Sequence, residues 1–129
     1  MLFTKCILAK PSVCDGARIS IMSRHTLCDG VTPDSRITSF HFHASILAPS
    51  ASLVGSYYKR GIGWAEFERR YLLELKEERR IFSVTTLSRL ALVFPITLLC
   101  IERTAEQCHR RLLAEECQRY QLNLKVEHR

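Results

Sequence analysis

The chain has 129 residues, 47% hydrophobic and 25% charged, a size and balance that suit one globular domain over residues 1–129 and leave little room for a second. Lysine and arginine outnumber aspartate and glutamate by 19 to 13, and the formal net charge of +6 favours anionic partners over cationic ones. The apolar run over residues 90–101 is too short to cross a bilayer as a helix and is broken by Pro95, and the start MLFTKCILAK lacks a signal-peptide pattern, so a cytoplasmic protein with no membrane segment is expected.

Residues 2–9 read as a first strand, ended by Pro11 and the Asp15-Gly16 turn. Residues 18–22 alternate polar and apolar side chains and make a second strand. Residues 23–34, with Asp29-Gly30 and Thr32-Pro33-Asp34, have the composition of an irregular loop. Residues 37–46 fit two readings: Phe40, Phe42 and Ala44 alternate as in a half-buried strand, and a loop with a short helix fits as well. After Leu47-Ala48-Pro49, Ser50 is placed to cap a short helix ending near Lys59-Arg60-Gly61.

Trp64, Phe67, Tyr71, Leu72 and Leu75 recur at helical spacing and predict an amphipathic helix over residues 64–77. A further helix over 79–92 carries Ile81, Val84, Leu87, Leu90 and Ala91 on one side and is closed by Pro95. Residues 96–101 form a continuous apolar run, the pattern of a parallel strand covered on both faces. Thr104 followed by Gln107 resembles a capping box and starts a helix over 105–121 with Leu112, Leu113, Cys117 and Tyr120 as its stripe. Leu122, Leu124 and Val126 alternate as in a last strand. This order predicts an α/β fold, a single three-layer domain with a mainly parallel central sheet and helices on both faces. Ligands of such folds gather at the carboxyl ends of the strands.

The six cysteines include no Cys-x-x-Cys pair and read as thiols, with Cys6, Cys14, Cys28 and Cys117 as small packing residues. Mixed arginine and glutamate in the helical segments read as solvated faces. Phosphate-loop and dinucleotide glycine patterns are absent, so no cofactor is assigned.

Several segments fall in the order found in DUF488 proteins: Asp15-Gly16-Ala17-Arg18, Ser23-Arg24-His25, Leu47-Ala48-Pro49-Ser50, Trp64-x-x-Phe67-x-x-Arg70-Tyr71-x-x-Glu74-Leu75, Leu98-Leu99-Cys100 and Cys108-His109-Arg110. Over nearly its whole length the chain resembles that family, in the branch with a Cys-His-Arg triplet in its last helix. Another branch carries a Trp-Pro-Arg-Gly loop after the second strand; this chain has His25-Thr26-Leu27-Cys28-Asp29-Gly30 there instead. The resemblance implies the fold; the family is one of unknown function and implies no activity.

The sheet would bring the turn at Ser23 beside the start of the last long helix, giving a pocket of Arg24, His25, Glu102, Cys108, His109 and Arg110. Two guanidinium groups and a helix N-terminus suit a small anion or phosphate-bearing ligand, the leading functional reading. The plainer alternative pairs the arginines with Glu102 to fix the loop. A second reading is cysteine catalysis by Cys108 with His109, beside which stands an inert buried thiol. A cysteine-phosphatase or rhodanese loop needs arginine six residues after its nucleophile, and Ser12, Ser20, Asp34, Glu106, Ala114 and Asn123 stand in those places. Cys100, Cys108 and His109, with His25 as a further candidate, are ligand types that zinc accepts but have no independent support from spacing, and His41 and His43, two apart, would share a strand face that could hold a metal, a weak signal, so no metal is assigned. Nucleic acid, with Tyr57-Tyr58-Lys59-Arg60 as its best contact, is the remote alternative.

Overall fold

A computed structural model describes all of residues 1–129. Five strands, β1 (Leu2–Cys6), β2 (Ala17–Ser20), β3 (Phe42–His43), β4 (Ile96–Cys100) and β5 (Val126–His128), form one all-parallel sheet in the order β3-β2-β4-β1-β5. Four α-helices accompany them: α1 (Ala51–Tyr58), α2 (Trp64–Glu74), α3 (Glu78–Val93) and α4 (His109–Tyr120).

The strand order explains the layering. The connections β3 to β4 and β4 to β5 travel one way across the sheet, while β1 to β2 and β2 to β3 travel the other. Right-handed crossovers place opposite directions of travel over opposite faces. All four α-helices belong to the first pair of connections, and residues from each join Ile96 and Leu98 in one apolar core. The second pair supplies the 3-10 turn Val13–Asp15 and a long loop, which cover Thr97 and Leu99. There the Thr97 hydroxyl donates to the Asp15 carbonyl, and Leu99 packs with Ile7 and Ile37. Helical segments thus lie on both faces, unequally. No helix is long and apolar enough to cross a membrane.

Most elements follow the sequence pattern. All five residues of β4 are buried, as its unbroken apolar run demands. The Ser50 hydroxyl accepts from the Leu53 amide and caps α1, and both its own N–H and O–H donate to the Glu74 carboxylate. Phe67, Tyr71 and Leu75 are buried along one side of α2, and the Tyr71 hydroxyl donates to the Leu47 carbonyl. Of the two readings for residues 37–46, the loop with a short helix is the nearer: only Phe42 and His43 pair as a strand, both exposed, and a 3-10 turn follows at Ser45–Leu47.

Four expectations need correction. The first strand ends at Cys6, because the chain turns at Ile7 to Ala9 once the Ile7 amide has bonded the Cys100 carbonyl. The last helix starts at His109 rather than at residue 105: Thr104 and Gln107 line a surface cleft, and the Thr104–Gln107 capping box does not form. The final strand begins at Val126, leaving Leu122 exposed and Leu124 in the core. Cys14 and Cys28 are exposed and pack nothing, because both sit in turns outside the sheet.

Gly16 has φ +63°, and a methyl there would fall 2.0 Å from the Pro95 carbonyl oxygen, against which the β1–β2 connection is pressed. Gly61 has φ +70° but open space around it. Gly61→Ala should therefore cost about 1 kcal/mol through backbone conformation alone. Gly16→Ala should cost roughly 4 kcal/mol or more, because the backbone there cannot yield. Urea denaturation of the two variants checks the contrast.

Candidate functional site

The carboxyl end of β4 delivers Cys100 beneath a loop of residues 101–107, and the chain then enters α4 through Cys108 as its N-cap, with extended backbone and no side-chain cap. His109 and Arg110 are therefore the first two helical residues. The His109 ring reaches back to β2, where Nε2 bonds the Ile21 carbonyl at 2.7 Å. A carbonyl only accepts, so Nε2 carries the proton and Nδ1 keeps its lone pair. That lone pair lies 3.8 Å from the Cys100 sulfur. The Tyr71 ring meets the imidazole edge-on at 5.7 Å between centroids. Burial lowers the His109 pKa and keeps the ring neutral.

The two cysteines differ in ionisation. The Cys100 pKa is lowered, first by a long S–H···S contact from Cys108, then by the amides of Glu102 and Ile101 and the Arg110 charge, all acting against burial. Cys108 is pushed well up by its contact with Cys100, by burial and by the negative charge on Cys100. Of the two, Cys100 is therefore the more readily ionised. Arg110 faces it from α4, 0% exposed, with Nη1 donating to the Glu102 carbonyl at 2.6 Å and to the Cys108 sulfur at 3.5 Å. Its Nε and Nη2 have no hydrogen-bond partner, and no carboxylate pairs with it.

Two clefts flank the loop. One, of about 290 Å³, is lined by Tyr57, Tyr58, Glu102, Thr104, Glu106 and Gln107. The Tyr58 hydroxyl donates to Glu102 across it, and burial, Glu102 and the two cysteines together raise the phenol's pKa. The other, of about 320 Å³, carries Arg103, Arg111, His128 and Arg129. Cys100, Cys108 and His109 place their donor atoms within 4.8 Å of one another, a set of types that zinc accepts. The guanidinium 3.5 Å from Cys108 suits an anion better than a cation.

The structure brings Glu102, Cys108, His109 and Arg110 together as the sequence reading supposed. The turn after β2 also approaches α4, through the Ile21–His109 bond. No hydrogen bond or ion pair joins Arg24 or His25 to the cluster. Arg24 is exposed with its guanidinium over Gly30, and His25 turns to the other face, bonding the Ser20 hydroxyl at 2.6 Å and stacking on His43. Cys100, which the sequence offers as a metal ligand and which lacks the arginine of a phosphatase or rhodanese loop, is the member with the lowered pKa. Its place at the end of a buried strand just before a helix N-terminus is the signal that could have singled it out.

The neutral His109 has a consequence for stability. In the unfolded chain imidazole titrates near 6.5, and in the fold it binds its proton less readily. As pH falls through 6.5 the unfolded state takes up protons that the native state refuses, so stability should decline between about pH 7 and pH 5. His25 and His128, with pKa values also lowered, add to the slope. In His109→Gln the slope should be shallower, as measured by denaturation across that range.

The profile of a family described as the active DUF488-N3 subclade, DUF488-N3a, matches residues 11–121. No curated protein and no solved structure matches the chain. With a family match that runs from the turn before β2 through the last helix, and with Cys100, Cys108 and His109 gathered at one end of an all-parallel sheet, the chain belongs to the DUF488 family.

Proposed function

We propose that the chain binds a small anionic or phosphate-bearing ligand at the carboxyl end of β4, and that the Cys100 thiolate is the group that reacts with it. The observation that carries this reading is Arg110. A fully enclosed guanidinium with no carboxylate partner and two unbonded nitrogens is a costly arrangement unless negative charge resides beside it. The Cys100 thiolate supplies part of that charge, and an anion arriving through the Tyr58–Glu102 cleft would supply more.

The alternative reading named Cys108 as nucleophile. The direction of the two pKa shifts favours Cys100, with Cys108 as the hydrogen-bond donor that stabilises it. The Ile101 and Glu102 amides at the sulfur add a second source of positive potential. Where cysteine phosphatases and rhodaneses carry arginine, six residues after the nucleophile, Cys100 has Glu106; here α4 supplies the guanidinium through Arg110. Neutral His109, with its free Nδ1 toward the sulfur, is placed to relay a proton during the reaction. Description of the matched family as an active subclade agrees with catalysis. Six free thiols suit the reducing cytosol, the location that goes with this proposal.

Inorganic phosphate or sulfate tests the anion site by thermal shift. At ten times its Kd the ion should stabilise the wild type by roughly 1.4 kcal/mol. Arg24→Ala should respond equally, and Arg110→Met should lose the response. Equal shifts in all three proteins would reject the site.

The thiolate is read separately from ultraviolet thiolate absorbance, as the difference between wild type and Cys100→Ser during a pH titration. The midpoint should fall below the ordinary value of about 8.5 and rise in Arg110→Met. A midpoint at or above the ordinary value in the wild type would reject Cys100 as the nucleophile.

A further inference from the structure

The Cys108 sulfur has no role in the chemistry above beyond its contact with Cys100, yet it sits within 4.8 Å of the Cys100 sulfur. A disulfide needs the two sulfurs at about 2.05 Å, a closure within reach of side-chain rotation when they start this near. Cys108 is an N-cap residue whose side chain makes no capping bond, and seven loop residues separate it from Cys100. Cys6 is the sheet neighbour of Cys100, but its thiol is engaged in donating to the Ile101 carbonyl at 3.4 Å, whereas Cys117 is buried in the main core and Cys14 and Cys28 are exposed in turns.

We propose that Cys108 is the resolving thiol for Cys100, so that a hydroperoxide converts the pair to an intramolecular disulfide. This rests on the thiolate reading of Cys100 given above. In the first step the Cys100 thiolate attacks one oxygen of hydrogen peroxide. The O–O bond breaks, leaving Cys100 as a sulfenic acid and releasing hydroxide.

Oxidation removes the negative charge from Cys100 and with it the influence that held the Cys108 proton in place. The released hydroxide takes that proton and becomes water. The charge moves to the Cys108 sulfur, which already has the Arg110 Nη1 at 3.5 Å. The Cys108 thiolate then attacks the Cys100 sulfur, the S–S bond forms, and the S–O bond breaks with loss of hydroxide. One thiolate, one thiol and one peroxide thus give one disulfide, one water and one hydroxide. The two thiols are oxidised and the peroxide is reduced. The negative charge thus starts on the Cys100 sulfur, passes through hydroxide and arrives on the Cys108 sulfur before closure.

The sequence makes the product easy to read, because Arg103 lies between the two cysteines. The reduced full-length protein is treated with hydrogen peroxide at low protein concentration, alkylated, cleaved after arginine and lysine, and analysed by mass spectrometry. The expected product joins residues 90–103 to residues 104–110 and separates on dithiol reduction. Cys108→Ser should stop at the sulfenic acid, trapped on Cys100 by a cyclic diketone. Further oxidation of Cys100 in the wild type with Cys108 still a free thiol, or a link from Cys100 to Cys6, would overturn the proposal. If Cys100 ionises at low pH but no link forms, the resolving role alone fails. If Cys100 neither ionises at low pH nor oxidises, the thiolate reading falls with it.

Discussion

Arg110 enters α4 as its second residue and is wholly enclosed by the loop that precedes it, yet its positive charge meets only a main-chain carbonyl and a sulfur. Everything distinctive about this end of the molecule follows from that demand for negative charge. The Cys100–Cys108 pair can meet it with a single thiolate, because placing charge on one sulfur raises the cost of charging the other. The His109 bond to Ile21 fixes which ring nitrogen faces the pair, and the neutral imidazole adds no competing cation. Removing Arg110 would alter the proton inventory of the whole cluster rather than one contact.

The molecule contains the opposite solution on the other face of the sheet. Asp15 is also completely buried, but Lys5, Arg18 and Arg129 all approach its carboxylate, and the Ser12 amide donates to it at 3.0 Å. Burial opposes ionisation there, yet these partners hold the Asp15 pKa below its ordinary value. A buried carboxylate surrounded in this way is a structural joint, clamping the β1–β2 connection to the sheet, with Arg18 Nη2 its one unbonded nitrogen. The Arg110 guanidinium, with two nitrogens unbonded, is an open one. The contrast separates a charge that holds the fold from a charge available for chemistry.

The sequence made the fold legible wherever one physical effect dominated. The unbroken run of β4 admits little but a covered strand, and the spacing of Phe67, Tyr71 and Leu75 admits little but a helix with one buried side. Pattern failed where local and tertiary preferences compete. Thr104 and Gln107 have the spacing of a capping box, but folding residues 101–108 as a loop lets the Glu102 carbonyl accept from Arg110 and the Glu102 amide serve Cys100. Those contacts are invisible locally and outweigh a cap. Leu90 was similarly placed by spacing among buried residues, although α3 rotates it outward, 46% exposed, while Ala91 is enclosed. At the site, the triplet at 108–110 was conspicuous because its members are adjacent. Cys100 was not, since its importance depends on where β4 ends relative to α4.

The sheet order has a further consequence for how the protein comes into being. β1 lies between β4 and β5, so Leu2 pairs with Ile96 on one side and Val126 on the other. During translation the first strand leaves the ribosome long before either neighbour exists. Its apolar residues must wait, unpaired, while some ninety residues are added, at a rate of about 5–20 per second. Topology alone therefore makes this a late-closing sheet, whose cysteine cluster comes together only after residues 108–110 have been synthesised.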